Sequence, residues 1–221
     1  MKVICISASN MKKAGDKSTS LIACQTIEKI IKDRLQRKDV QVEIIKLVDA
    51  ELKPCTGCGQ CYEADKCAAK DDFNTIYAKI AESDAVFIVS PHYAPIPANL
   101  SIVLEKMEQP VFLHWFRDNS YRPKVYRKPV GIIAHGGGSE EWMLRSYKEL
   151  VLDTIANALQ TIMMDIVGLD EKWPNGVVFP VKEVRRDKGG IFPVQTYDWA
   201  DIENRLMPLV EKVVMKAERK Q

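Results

Sequence analysis

Four cysteines fall within thirteen residues, as Cys55-x2-Cys58-x2-Cys61-x5-Cys67, with glycines at 57 and 59. Such a tight loop can turn three thiolates toward one centre while the fourth returns after a short excursion. In a reducing compartment this spacing reads as a metal or redox site more readily than as disulfides. A [4Fe–4S] cluster accepts compact ligation of this kind. The run is close to that of bacterial ferredoxins, with a longer last gap and Ala68 in place of the proline that follows there. Structural zinc more often takes two separated Cys-x2–4-Cys pairs, although four thiolates would serve it. Free thiols or a redox-active pair without metal also fit. Asp71 and Asp72, beside the cluster, read as a helix cap rather than as ligands.

Three segments far apart in sequence could share a second chemistry. Ser7-Ala8-Ser9-Asn10 through Lys17-Ser18-Thr19-Ser20 offers hydroxyls and the free amides of a helix N-terminus, which suit a phosphate monoester. The segment has neither the GxGxxG of dinucleotide folds nor the Walker lysine pattern. Ser90-Pro91-His92-Tyr93-Ala94-Pro95-Ile96-Pro97 is a proline-stiffened turn presenting an aromatic and main-chain amides. His135-Gly136-Gly137-Gly138 removes side chains so that main chain can approach a ligand closely. Together the three describe a pocket for a flat, phosphorylated cofactor.

The elements that must position these segments alternate. Strands are expected at Val3–Ser7, Val40–Leu47, Ala85–Val89, Val130–Ala134 and Ile162–Val167. Helices are expected from Ser18-Thr19-Ser20 to about Arg37, Phe73–Glu82, Ala98–Glu108, 140–160 and Trp199 to about Glu218. Residues 110–128 read as an irregular aromatic and basic stretch. Residues 169–198, with Lys188-Gly189-Gly190, read as an irregular excursion, and Lys212, Lys216, Arg219 and Lys220 as a solvated basic helix end. Strands alternating with helices call for an α/β fold of flavodoxin-like type: a doubly wound, five-stranded parallel sheet with helices on both faces and an irregular C-terminal extension. In such a sheet the loops leaving strands one, three and four open on one edge, so the three segments converge. One domain over 1–221 is expected, with its core in 1–168.

The order Ser-x-Ser-Asn…Ser-Thr-Ser, Cys-x2-Cys-x2-Cys-x5-Cys-x3-Asp-Asp, Ser-Pro-His-Tyr…Pro-Ala-Asn-Leu and Arg-Lys-Pro-Val-Gly-Ile-Ile-Ala-His-Gly-Gly-Gly resembles the NADPH-dependent FMN reductase family. Within it, the chain is similar to the branch that includes the iron-sulfur flavoproteins. The resemblance covers roughly residues 1–168. It implies that FMN phosphate is held around Ser9 and Ser18, Thr19 and Ser20, with Lys12 or Lys13 as the basic residue of that loop. The isoalloxazine would lie between Pro91, His92, Tyr93 and Ala94 on one side and His135, Gly136, Gly137 and Gly138 on the other. Two features depart from the family pattern: the first loop reads Ser-Ala-Ser-Asn-Met where Gly-Ser-Pro-Arg is commoner, and His135 stands where a small hydroxyl residue is usual. The implied activity is NAD(P)H-dependent, hydride passing to the flavin and on to a quinone, free flavin or similar small acceptor. No acid–base constellation is needed, because the cofactor carries the hydride and electrons. The alternative it implies is an electron carrier, with FMN and a [4Fe–4S] cluster at Cys55, Cys58, Cys61 and Cys67 exchanging electrons with a ferredoxin-like protein. A homodimer or homotetramer is expected.

Composition bounds these readings. The 221 residues are 46% hydrophobic, enough for a sizeable core, and 32 basic against 30 acidic side chains in mixed order leave no block to track a phosphate backbone or a bilayer. Nucleic-acid and membrane partners are not expected, and a cytoplasmic protein is. Cys5 and Cys24, in a strand and a helix, read as small buried side chains.

Overall fold

A computed structural model describes residues 1–187 and 189–219; Lys188 of the excursion and Lys220 of the basic helix end lie outside the described residues. β1 (Lys2–Ser7), β2 (Gln41–Lys46), β3 (Ala85–Pro91), β4 (Pro129–His135) and β5 (Asp165–Val167) form a parallel sheet in the order β2-β1-β3-β4-β5. This is the flavodoxin-like order, with the chain reversing direction across the sheet after β2. The strands are short runs of Val, Ile, Ala and Phe because both faces of the sheet are covered. Along β1, Ile4 and Ile6 enter one apolar cluster while Val3 and Cys5 enter the other. That alternation is the period of two expected of a strand.

The helices divide accordingly. α1 (Thr19–Lys29) and the last helix α7 (Trp199–Glu218) cover one face; on it Cys5 and Cys24 are fully buried, and burial pushes both thiols up. On the other face lie α3 (Phe73–Glu82), α4 (Ala98–Arg117), α5 (Glu141–Tyr147) and α6 (Asp153–Thr161), the last two joined by a π-helical turn at 148–152. α2 (Gln60–Ala64) is a single short helix within the cysteine segment. Among the described residues no helix is long and apolar enough to cross a membrane.

Four expectations need correction. The first helix leaves α-geometry at Ile30, passes through a π-helical turn to Arg34, and does not reach Arg37. α4 runs to Arg117 through Pro110, so 110–117 is helical; Val111 is buried, and ring contacts of His114 and Arg117 hold the final turns against the cost of an internal proline. The fifth strand begins at Asp165 rather than Ile162, because Met163 takes φ 63°, a left-handed turn after α6. The C-terminal excursion is partly regular: β6 (Val177–Phe179) pairs with β4, and β7 (Glu183–Arg185) pairs with β8 (Val194–Thr196) as an antiparallel ribbon.

β5 pairs with Pro129–Gly131 and β6 with Ile133–His135, so the two occupy one edge of β4 in succession. Residues 168–176 loop out between them and bury Trp173. Gly176 brings the chain back: it sits at φ 139°, and a Cβ there would lie 2.1 Å from the Ile132 carbonyl oxygen. Only glycine permits that approach.

Candidate functional site

A cavity of about 340 Å³ opens at the carboxyl ends of β1, β3 and β4. Of the residues expected there, Ser9, Ser18, Thr19, Ser20, Pro91, His92, Tyr93, His135, Gly136 and Gly137 line it; Lys12, Ala94 and Gly138 do not. Parallel pairing places the three loops side by side. Ala8 N donates to Val89 O at 3.0 Å and His92 N to His135 O at 2.9 Å, so the ladder continues past the strand ends into the loops.

The first loop supplies the polar end. Ser9 Oγ accepts from Met11 N at 3.2 Å, and the Ser20 hydroxyl lies 2.8 Å from His135 Nε2. Thr19 hydrogen-bonds the Tyr197 phenol, which donates to Gln195 Oε1 at 2.8 Å. Ser18, at the N-cap of α1, is different: its Oγ is buried with no protein partner, and its side chain makes no bond to the helix it precedes. An orphaned hydroxyl beside free helix amides costs stability unless an external acceptor satisfies it. A phosphate monoester fits that requirement, accepting from hydroxyl and amides at the positive helix end. The basic side chain on the lining is Lys17 rather than Lys12. Gly15, at φ 48°, turns the loop between these two lysines.

His135 is 6% exposed and stacks on Phe179 with ring centroids 5.1 Å apart. Burial drives its pKa down to about 3, so the imidazole is neutral at ordinary pH. It meets the Ser20 hydroxyl as a neutral ring. His92 packs against Tyr147 at 5.3 Å. Tyr147 also hydrogen-bonds the Gly138 main chain, and a Cβ on Gly136 would fall 2.4 Å from its ring. One buried tyrosine thus braces two of the three loops, and Gly136 is small because Tyr147 already fills the space. Gly138 serves the frame as well, its carbonyl accepting from Val181 N at 3.1 Å. The remaining wall comes from Phe192, Pro193, Gln195 and Tyr197. Sequence reasoning missed these because their ribbon folds back over the sheet edge only in three dimensions.

A separate cavity of about 310 Å³ is lined by all four clustered cysteines together with Lys53, Lys106 and Gln109. Gly57 and Gly59, at φ 65° and 72°, make the left-handed turns that bring Cys55, Cys58 and Cys61 to one side. Cys55 N donates to Glu105 Oε2 at 3.2 Å. Asn74 clamps the returning Cys67, accepting from its N at 2.9 Å and donating to its carbonyl at 2.8 Å. Burial, with the three neighbouring thiols acting behind it, pushes the Cys61 thiol up. Beneath the loop lies an ion pair between Lys106 and Asp71, whose side chains are 1% and 0% exposed. Asp71 also accepts from Lys53 N at 2.9 Å and Phe73 N at 3.2 Å. Burial opposes ionisation of Asp71, but Lys106 and these amides outweigh it and hold the carboxyl below its ordinary range. Asp72 occupies the N-cap position of α3, but its carboxylate accepts from Glu51 N and makes no cap bond; Asp71 instead accepts from Phe73 N, the first helical amide.

Among the described residues no three His, Cys, Asp or Glu groups converge as ligands of one ion. Four thiolates lining one cavity are the donor set that a [4Fe–4S] cluster takes, one cysteine to each iron, and they would also serve a tetrahedral zinc.

The model of the NADPH-dependent FMN reductase family matches residues 1–144. The chain belongs to this family. Relatives of this FMN reductase family member include an iron-sulfur flavoprotein of Methanocaldococcus jannaschii, 32% identical over 107 residues, which are 48% of this chain and 51% of that one. An iron-sulfur flavoprotein of Archaeoglobus fulgidus is 27% identical over 160 residues, 72% of this chain and 73% of that one. The chain thus matches about half the length of the first relative and nearly three quarters of the second. The fold is similar to that of RosB, solved with a bound 8-demethyl-8-formylriboflavin-5'-phosphate intermediate, at TM-score 0.62 and 13% identity over 99% of this chain and 79% of RosB. The family match ends before β5, so Phe192, Pro193, Gln195 and Tyr197 complete the cavity from outside it.

Proposed function

We propose that this chain is an FMN-dependent oxidoreductase that takes hydride from NAD(P)H and passes electrons to a small acceptor such as a quinone or free flavin. The carrying observation is the cavity at the ends of β1, β3 and β4, with an unpartnered Ser18 hydroxyl at a helix N-terminus on one side and loops of main chain and aromatic rings on the other. Ser18, the α1 amides and Lys17 would hold the phosphate of FMN. The Pro91-His92-Tyr93 turn and the Gly136-Gly137 main chain would flank its ring. When bound, the flavin supplies the hydride and single-electron chemistry. The protein orients the ring, keeps His135 neutral beside the site, and excludes water through the Phe192 to Tyr197 wall. Adding FMN to flavin-stripped protein, then NADH or NADPH without oxygen, tests this. A yellow protein bleached by reduced nicotinamide supports the proposal, and one that retains no FMN ends it.

A second reading adds a cluster, favoured by one observation: the four thiols line a single cavity. On this reading Cys55, Cys58, Cys61 and Cys67 hold [4Fe–4S] and the protein trades electrons with a ferredoxin-like partner. The names of the relatives support it. Iron and sulfide assays on anaerobically purified protein distinguish the two, with about four irons per chain expected for the cluster. Cys61→Ser should abolish iron binding and Cys24→Ser should not.

A further inference from the structure

Lys106 is the one charged member of the buried face of α4, 3% exposed alongside Val103, Leu104 and Met107. An ion pair at such depth is often no more stable than apolar side chains of the same volume, so folding alone gives little reason for a cation here. The pair is also asymmetric. Lys106 stands on the lining of the thiol cavity with Cys55, Cys58, Cys61 and Cys67, whereas Asp71 does not. The Asp71 carboxylate, out of solvent, accepts from Lys106 and from the amides of Lys53 and Phe73. An ammonium has three protons to donate. Asp71 takes one, the Phe73 ring lies 5.4 Å away, and among the described residues the Lys106 ammonium has no second acceptor. The pair is therefore a dipole with its positive end at the thiols. Lys53, the other charged side chain on that lining, is 56% exposed, donates to the Lys70 carbonyl and pairs with Glu51 at 3.6 Å, so solvent and Glu51 screen it. Glu105, which accepts from Cys55 N, is not on the lining.

We propose that Lys106 is the counter-ion of a [4Fe–4S] cluster held by the four thiols and raises its reduction potential, with Asp71 as the positioning residue that fixes the ammonium; the proposal rests on the cluster reading above. Four thiolates leave such a cluster with a net negative charge, and uptake of one electron makes it more negative by one charge, with no proton required. A fixed cation out of water favours the more negative state. Lys106 thus makes the cluster easier to reduce. The Asp71 carboxylate, behind the lining, weakens that effect without cancelling it.

The test is a dye-mediated titration with dithionite as electron donor, followed by electron paramagnetic resonance of the reduced cluster. It uses protein purified without oxygen and assayed for iron and sulfide. Lys106→Met/Asp71→Asn removes both charges at nearly constant volume, and Asp71→Asn removes the anionic end alone. In the double variant reduction should be disfavoured roughly tenfold or more, a fall of about 59 mV or more for one electron, and in Asp71→Asn the potential should rise. A disturbed loop would move both variants the same way, whereas charge demands opposite signs. An unmoved potential in the double variant, or shifts of one sign in both, overturns the proposal. Should the double variant hold no iron, Asp71→Asn decides alone, and a potential at or below that of the parent overturns it. Loss of iron from both variants makes the pair part of the loop's frame and overturns it as well. A parent protein without iron and sulfide ends the cluster reading and this proposal together, whereas an iron-loaded parent whose potential the variants leave unmoved ends the proposal alone.

Discussion

The two cavities are built differently. The one at the strand ends is framed by continuation of the sheet: Ala8 bonds to Val89 and His92 to His135, so its loops inherit the register of β1, β3 and β4. The thiol-lined one sits in residues 53–69, where α2 is the one regular element, and it is fixed by side chains reaching in from elsewhere: Asn74 on Cys67, Glu105 on Cys55, and Lys106 on Asp71. A frame built from backbone spreads its stability over many hydrogen bonds. One built from a few side chains concentrates it, so single substitutions should divide the regions.

The largest effect is expected at the buried ion pair. Lys106→Met leaves Asp71 charged and unpaired, at a cost of about 3–5 kcal/mol. Urea unfolding should show it, with Lys106→Met/Asp71→Asn recovering part of the loss; an unchanged midpoint for the single variant would remove the ion pair from this account.

In the strand-end cavity, Ser18→Ala should do the opposite, sparing stability and weakening ligand binding. The hydroxyl has no protein partner and its burial is a cost, so the ligand-free variant should unfold at a free energy equal to or above that of the parent. FMN affinity should fall by about 1.5–3 kcal/mol, roughly tenfold to a hundredfold, in a fluorescence titration. Full affinity would move the phosphate elsewhere.

His135 makes the strand-end frame acid-sensitive. Its folded pKa, about 3, lies below the ordinary 6.5, so below pH 6.5 the unfolded chain takes up a proton that the folded chain refuses. Its contribution therefore falls as pH drops from 6.5 toward 3, by up to about 1.4 kcal/mol per pH unit, or roughly 2 kcal/mol by pH 5. His135→Gln should flatten that part of the stability profile between pH 7.5 and 5. A profile parallel to that of the parent would mean that His135 titrates normally in the fold.

The smallest effect on folding is expected at Phe192, 71% exposed on the cavity rim. Phe192→Ala should leave the thermal midpoint within about 1–2 °C while changing KM for the acceptor. A large loss of stability would place it in the frame rather than the wall.

The sequence by itself determined the alternation of elements, the parallel doubly wound sheet that it calls for, the convergence of Ser18, His92 and Gly136, and the grouping of four thiols. These follow from period, handedness and spacing, which are local or topological. Tertiary structure decided which groups remain free. Ser20 and Thr19 look as available as Ser18 in sequence, but His135 and Tyr197 engage the first two and leave Ser18 unpartnered. Lys17 replaced Lys12 at the lining because the turn at Gly15 decides which lysine faces inward. Nothing local announced that Lys106, one cation on a helix, lies buried against Asp71 under the thiols, or that residues 192–197 close the other cavity. Such partners are set by packing between segments far apart in the chain, and short-range pattern carries no record of them.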